Sequence, residues 1–257
     1  MDRYHAQKFS KLNLMFYYID HYTTADLRSK YPLGGEVASH DIVNVDFVDD
    51  GRPLAEITAD KAPFDYVVAS HVIEHVPDLV GWLKDILAVL KDGGTLALWI
   101  PDKRFTWDLF RRLSAREEIR AAYEERRARP GLRCIMDHFA YATNVVCWHL
   151  WEDFRIVRDV KYTHGPELLA VAARQYEAGN YIDVHCWVFT PWSFLDLMGW
   201  MTQEFGLYYD LQFMVQLRKN PSGKSSTDWD QEKRKALAGA LWPHNTKEVG
   251  MELGIPM

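Results

Sequence analysis

The chain has 257 residues, 48% hydrophobic and 26% charged, which excludes disorder and collagen-like repeats and suffices for one or two packed domains. Thirty basic against 36 acidic side chains leave a net charge of −6, which argues against nucleic-acid binding as the main activity. Cys134, Cys147 and Cys186 form no CxxC pair, so neither a zinc knuckle nor a disulfide framework is expected, and a reducing compartment is the default.

Lys8 and Lys11 interrupt any secretory h-region, and no run approaches the roughly 20 apolar residues of a membrane span, so the sequence predicts a cytoplasmic protein without one. The first hundred residues alternate strand and helix signals. Leu14–Ile19 is an apolar run closed by Asp20, and Thr23–Lys30 reads as a short helix with Thr23 or Thr24 as its cap. Ile42–Val45 is closed by Asp46, Tyr66–Ala69 by Ser70, and Gly94–Ile100 by Pro101. These four runs predict buried parallel strands. Between the last two, Leu79, Leu83, Ile86, Leu87 and Leu90 form one helical stripe, with Asp78 as its cap and Gly93 or Gly94 at its end.

From Lys103 to Arg133 ten basic residues face five acidic ones, which predicts one or two long helices. An aromatic stretch around Trp148 and Trp151 follows, then a helix over Pro166–Glu177. Thr190-Pro191 opens a helix in which Phe194, Met198, Met201 and Phe205 share a face, closed by Gly206. Leu211–Leu217 reads as one last strand, and the polar residues 220–257 as a loosely attached tail.

In an open parallel sheet, ligands collect outside the carboxyl ends of the strands, so Asp20, Asp46, Ser70, His71 and Asp102 carry weight. The run Phe64-Asp65-Tyr66-Val67-Val68 through Ile73-Glu74-His75, with Leu90-Lys91-Asp92-Gly93-Gly94, resembles the Glu-His and Gly-Gly region of class I S-adenosylmethionine-dependent methyltransferases. Those of bacterial surface-glycan biosynthesis are the nearest in kind. Tyr18-Ile19-Asp20-His21, Pro101-Asp102-Lys103-Arg104-Phe105 and Asp183-Val184-His185-Cys186-Trp187 through Pro191 add to the likeness.

The resemblance implies a Rossmann-like α/β fold, S-adenosylmethionine as cofactor, and a small-molecule or glycan acceptor. It implies one methyltransferase-like domain over residues 1–219, with a helical aromatic insertion at about 102–180. The family's glycine-rich loop stands roughly 20 residues ahead of the acid that Asp20 matches, and Met1–Asn13 hold no glycine. The sheet is therefore expected to lack its first strand. The alternative is a non-catalytic or truncated protein of this fold that has lost cofactor binding. A nicotinamide-dependent oxidoreductase is the poorer fit, since it too needs a glycine fingerprint.

By this resemblance Asp20 holds the cofactor's ribose, and Asp46 and Ser70 add to the cofactor site. His71 and His185 are the candidate catalytic residues, orienting the acceptor or taking its proton. If Ser70–Val76 is helical, His71, Glu74 and His75 share a face and could hold a divalent metal. Such a pairing of Glu with His is widespread where no metal is needed, and none is assigned. The arginine-rich stretch is read as a solvated helix face laced with glutamates rather than a phosphate site.

Overall fold

The computed structural model describes residues 15–30, 42–144, 158, 160–212 and 216–219. Two compact units are distinguished, one from residues 1–64 and 85–89, the other from 65–84 and 90–257. Among the described residues no helix is long and apolar enough to cross a membrane. The predicted tail beyond residue 219, Cys147, Trp148 and Trp151 lie outside the described residues.

In the first unit, β1 (Ile19–Asp20) and β2 (Phe47–Val48) form a parallel pair, Ile19 opposite Phe47 and Asp20 opposite Val48. The described part of the apolar run, residues 15–19, does not form the buried strand the sequence predicts: Met15 is 81% and Ile19 45% exposed. The second strand lies beyond Asp46 rather than before it. The Tyr18 carbonyl accepts from the amides of Asp46 and Phe47, and the Asp46 carboxylate accepts from the Tyr18 amide at 2.8 Å. Asp46 is thus a cross-link at the start of the pair, and Asp49 stands at its carboxyl end. Helix α1 (Thr24–Lys30) starts as predicted, because Thr23 and Asp26 cap each other: the Asp26 amide donates to Thr23 Oγ1 and the Thr23 amide to Asp26 Oδ2. A single turn, α2 (Leu54–Ile57), follows Pro53.

Next come β3 (Phe64–Ser70), α3 (Leu79–Val89) and β4 (Leu90–Trp99). Leu79, Leu83 and Ile86 of the predicted stripe are buried, and Asp78 accepts from the Gly81 amide at 2.8 Å as its cap. Gly93 takes a φ of 76° where the chain turns into the paired part of β4. Gly94 passes so close to the backbone that a Cβ would lie 2.9 Å from the Lys91 carbonyl oxygen and 3.2 Å from that of Asp65. The His71 amide donates to the Trp99 carbonyl at 3.0 Å, so β3 and β4 end side by side.

After a 3₁₀ turn (Lys103–Phe105), helices α4 (Arg116–Glu124), α5 (Leu132–Tyr141), α6 (Pro166–Glu177) and α7 (Pro191–Phe205) follow. Ile135 of α5, Ala172 of α6 and Val184 pack into one cluster. In α7, Thr190 and Ser193 form a reciprocal cap, Phe194, Met198 and Met201 are buried, and Gly206 ends the helix at a φ of 68°. The arginines are largely spent inside the unit: Arg112 pairs with Glu118, Arg116 with Asp196 and Arg120 with Glu204.

The sequence predicts one strand at 211–217; the chain forms two. β5 (Tyr209–Gln212) and β6 (Gln216–Lys219) make an antiparallel hairpin, and β6 pairs antiparallel with β4. The sheet order is β3-β4-β6-β5, so it is mixed rather than wholly parallel. Tyr209, fully buried, anchors the hairpin by donating its hydroxyl to the Leu83 carbonyl at 2.9 Å.

Candidate functional site

The site in the second unit begins where β3 ends. The segment 70–76 is a turn rather than a helix. His71 takes a left-handed φ of 53°, Ile73 is buried, and the His75 amide donates to the Val72 carbonyl at 2.9 Å. The shared face that a helix would have given His71, Glu74 and His75 is therefore not formed. The His71 side chain is 67% exposed, while that of Glu74 is 1% exposed.

A second segment, 183–189, locks onto this turn. The amides of Cys186 and Trp187 both donate to the Glu74 carbonyl, at 2.6 and 3.1 Å. The Trp187 indole donates to the Val76 carbonyl at 2.6 Å. Farther along, Phe189 bridges to Asp102, and the Ser114 hydroxyl accepts from the Val188 amide. Two motifs far apart in sequence, Glu-His at 74–75 and Asp-x-His-x-Trp at 183–187, are therefore joined through backbone bonds. A histidine ring edge-on to another, His75 against His185 with centroids 4.7 Å apart, results.

Behind His185 lies a buried ionic hub. His185 is 4% exposed and its Nδ1 stands 2.5 Å from Asp108 Oδ2. Arg111, 1% exposed, donates to Asp108 at 2.8 Å, to Asp137 at 3.0 Å and to the His185 carbonyl at 2.9 Å. Lys103 donates to the Arg111 carbonyl. Burial works to raise the Asp108 carboxyl, but the hydrogen bond and charge of His185 and the Arg111 guanidinium outweigh it and hold it down to about 2. His75 is the counterpart on the outer side. Burial opposes its protonated form, yet Asp183, whose Oδ1 lies 2.8 Å from His75 Nδ1, together with Glu74 raises its pKa above the usual histidine value. Glu74, His75 and His185 each offer a ligand atom, all within 4.8 Å of one another.

Among the predicted residues, His185 enters this cluster, Ser70 and His71 stand exposed at the end of β3, and Asp20 and Asp46 belong to the first unit. Asp20 closes β1, and its Oδ1 accepts from the Tyr22 amide at 2.9 Å. Asp108, Arg111 and Asp183 were not singled out from the sequence. Asp183 could have been, since it stands two residues before His185 in a motif already noted. Arg111 was hidden in a basic stretch whose charge count says nothing about which member is buried.

Strand ends bearing acids, a β–α–β unit with a Gly-Gly turn, and a mixed sheet accompanied by helices describe an α/β protein. The chain matches the family model described as a methyltransferase domain over residues 17–198, more than half its length, and it belongs to that family. No curated protein and no solved structure matches it.

Proposed function

We propose that the protein is a cytoplasmic enzyme that transfers the methyl group of S-adenosylmethionine to an oxygen or nitrogen of a small-molecule or glycan acceptor. The observation that carries this reading is the methyltransferase-domain match, which takes in β1 through the first half of α7. The cofactor supplies a sulfonium methyl group open to in-line displacement. What the protein adds is chiefly binding and alignment.

The acids at the carboxyl ends of β1 and β2 suit the nucleoside. Asp20 is assigned to the ribose: one carboxylate oxygen holds the Tyr22 amide, which leaves acceptor capacity on the other for a hydroxyl. Asp46 stands before β2 and Asp49 directly after it, its Oδ1 accepting from the Gly51 amide; the base is assigned to Asp49 because it is the acid at the carboxyl end of the strand. Ser70, exposed at the end of β3, is assigned to the cofactor, and His71 beside it to the acceptor proton. His185 is shielded from solvent with its Nδ1 held by Asp108, and it supports the turn rather than acting as an exposed base.

Calorimetry with S-adenosylhomocysteine tests the reading. Saturable binding is expected, and Asp20→Ala weakens it by about 1.5–3 kcal/mol, roughly 10- to 150-fold, through loss of a charge-assisted hydrogen bond. A folded chain that takes up no ligand overturns the proposal and favours a partner-binding protein of the same fold.

A further inference from the structure

Among the described residues, Glu74 is the one whose two buried carboxylate oxygens both lack a hydrogen-bond partner. The residue is 0% exposed. Its nearest charged neighbour on the turn is His71 Nδ1 at 3.4 Å, an ion pair only when that exposed imidazole is protonated. A carboxylate taken out of water without partners is strongly disfavoured, so something belongs beside it. What the fold sets beside it is a ring nitrogen each from His75 and His185, all three donor atoms lying within 4.8 Å of one another.

We propose that Glu74, His75 and His185 bind one divalent transition-metal ion of the zinc class. Two imidazoles and one carboxylate are a borderline donor set, suited to zinc and its neighbours rather than to magnesium or calcium, which prefer oxygen alone. Three protein ligands are also the number found in zinc sites that keep one position open.

The surroundings complete the argument. Metal-binding histidines usually give their second ring nitrogen to a carboxylate, which fixes the tautomer and the ring's orientation. Both histidines have that partner: Asp183 lies 2.8 Å from Nδ1 of His75, and Asp108 2.5 Å from Nδ1 of His185. Each arrangement leaves the other nitrogen, Nε2, available to a metal. Asp108 is itself held by the buried Arg111, so the inner ligand is braced three residues deep. His75, whose side chain is 33% exposed, stands on the side from which an ion would enter. Tetrahedral zinc sets its ligand atoms about 3.4 Å apart, so binding draws the three inward by side-chain rotation.

The test uses the untagged full chain, stripped with EDTA and titrated with zinc chloride by calorimetry, with no cofactor or acceptor present. Its outcome is therefore independent of methyl transfer. One equivalent of zinc per chain is expected. Glu74→Gln and His75→Ala lower the affinity at least 100-fold. Asp183→Asn, an exposed position that spares the ligands, lowers it about 10-fold and stands in if an inner variant fails to fold. Glu74→Gln also melts no lower than the wild type when both are stripped, because a buried charge has been removed, but loses the zinc-induced rise in melting temperature. Folded wild-type protein that takes up no zinc overturns the proposal. So does equal zinc affinity in the wild type, Glu74→Gln and His75→Ala, which places the ion elsewhere.

Discussion

Replacing Arg111 with leucine removes a guanidinium that is 1% exposed and bonded to two carboxylates and a carbonyl. Asp108, 3% exposed at its side chain, then keeps His185 and Thr106 as its side-chain partners among the described residues, in a site that cannot admit solvent freely. Breaking one side of a buried ion pair typically costs about 3–5 kcal/mol, since the surviving charge stays buried and uncompensated. With a urea slope of about 2–3 kcal/mol per molar, the unfolding midpoint falls by about 1–2.5 M. Urea denaturation at neutral pH, followed by circular dichroism, reads this directly. A companion variant carrying Arg111→Met and Asp108→Leu recovers part of the loss, because apolar groups of similar size need no counter-charge. A loss below about 1 kcal/mol for Arg111→Leu would refute the hub as a buried, water-excluded network.

Two more outcomes follow from local features. Burial, followed by the Arg111 charge, with His185 and His164 adding to it and Asp108 opposing, holds His138 down to about 4 from 6.5. The unfolded chain therefore binds more protons between those values, and stability is full above about pH 6.5 and falls as the pH drops toward 4, by at most about 3 kcal/mol; His138→Phe flattens that acid limb in urea melts, and an unchanged limb contradicts the assignment. Gly94→Ala drives a Cβ to 2.9 Å from the Lys91 carbonyl and 3.2 Å from the Asp65 carbonyl, both backbone, and costs about 1–3 kcal/mol, seen as a fall of several degrees in melting temperature; a change under one degree would show that the Gly-Gly turn is not sterically required.

Much of the fold was legible where local signals agree. The α3 stripe carries its own cap at Asp78, and α7 has Thr190, Pro191 and Gly206 at its ends, so periodicity and capping point the same way. Short strands were less legible, because an apolar run does not say which residues pair. Ile42–Val45 looks like a strand, yet the Asp46 side chain takes the Tyr18 amide and the ladder starts after it. The run at Leu211–Leu217 conceals two strands whose pairing depends on β4. At the site, the Glu-His motif was recognisable, but its geometry was not. A left-handed His71 turns a supposed helical face into a turn, and that sends Glu74 inward and His71 outward. The partners of His185 come from residues 77 and 74 positions away, Asp108 and Arg111, a separation no spacing rule reaches.

The central claim is that an acid at the end of β1 holds the nucleoside of S-adenosylmethionine. The most direct measurement is a crystal structure of the full chain grown with S-adenosylhomocysteine. The ribose hydroxyls are expected on the Asp20 carboxylate. Ligand bound away from Asp20, or well-ordered crystals that exclude it at saturating concentration, would contradict the account.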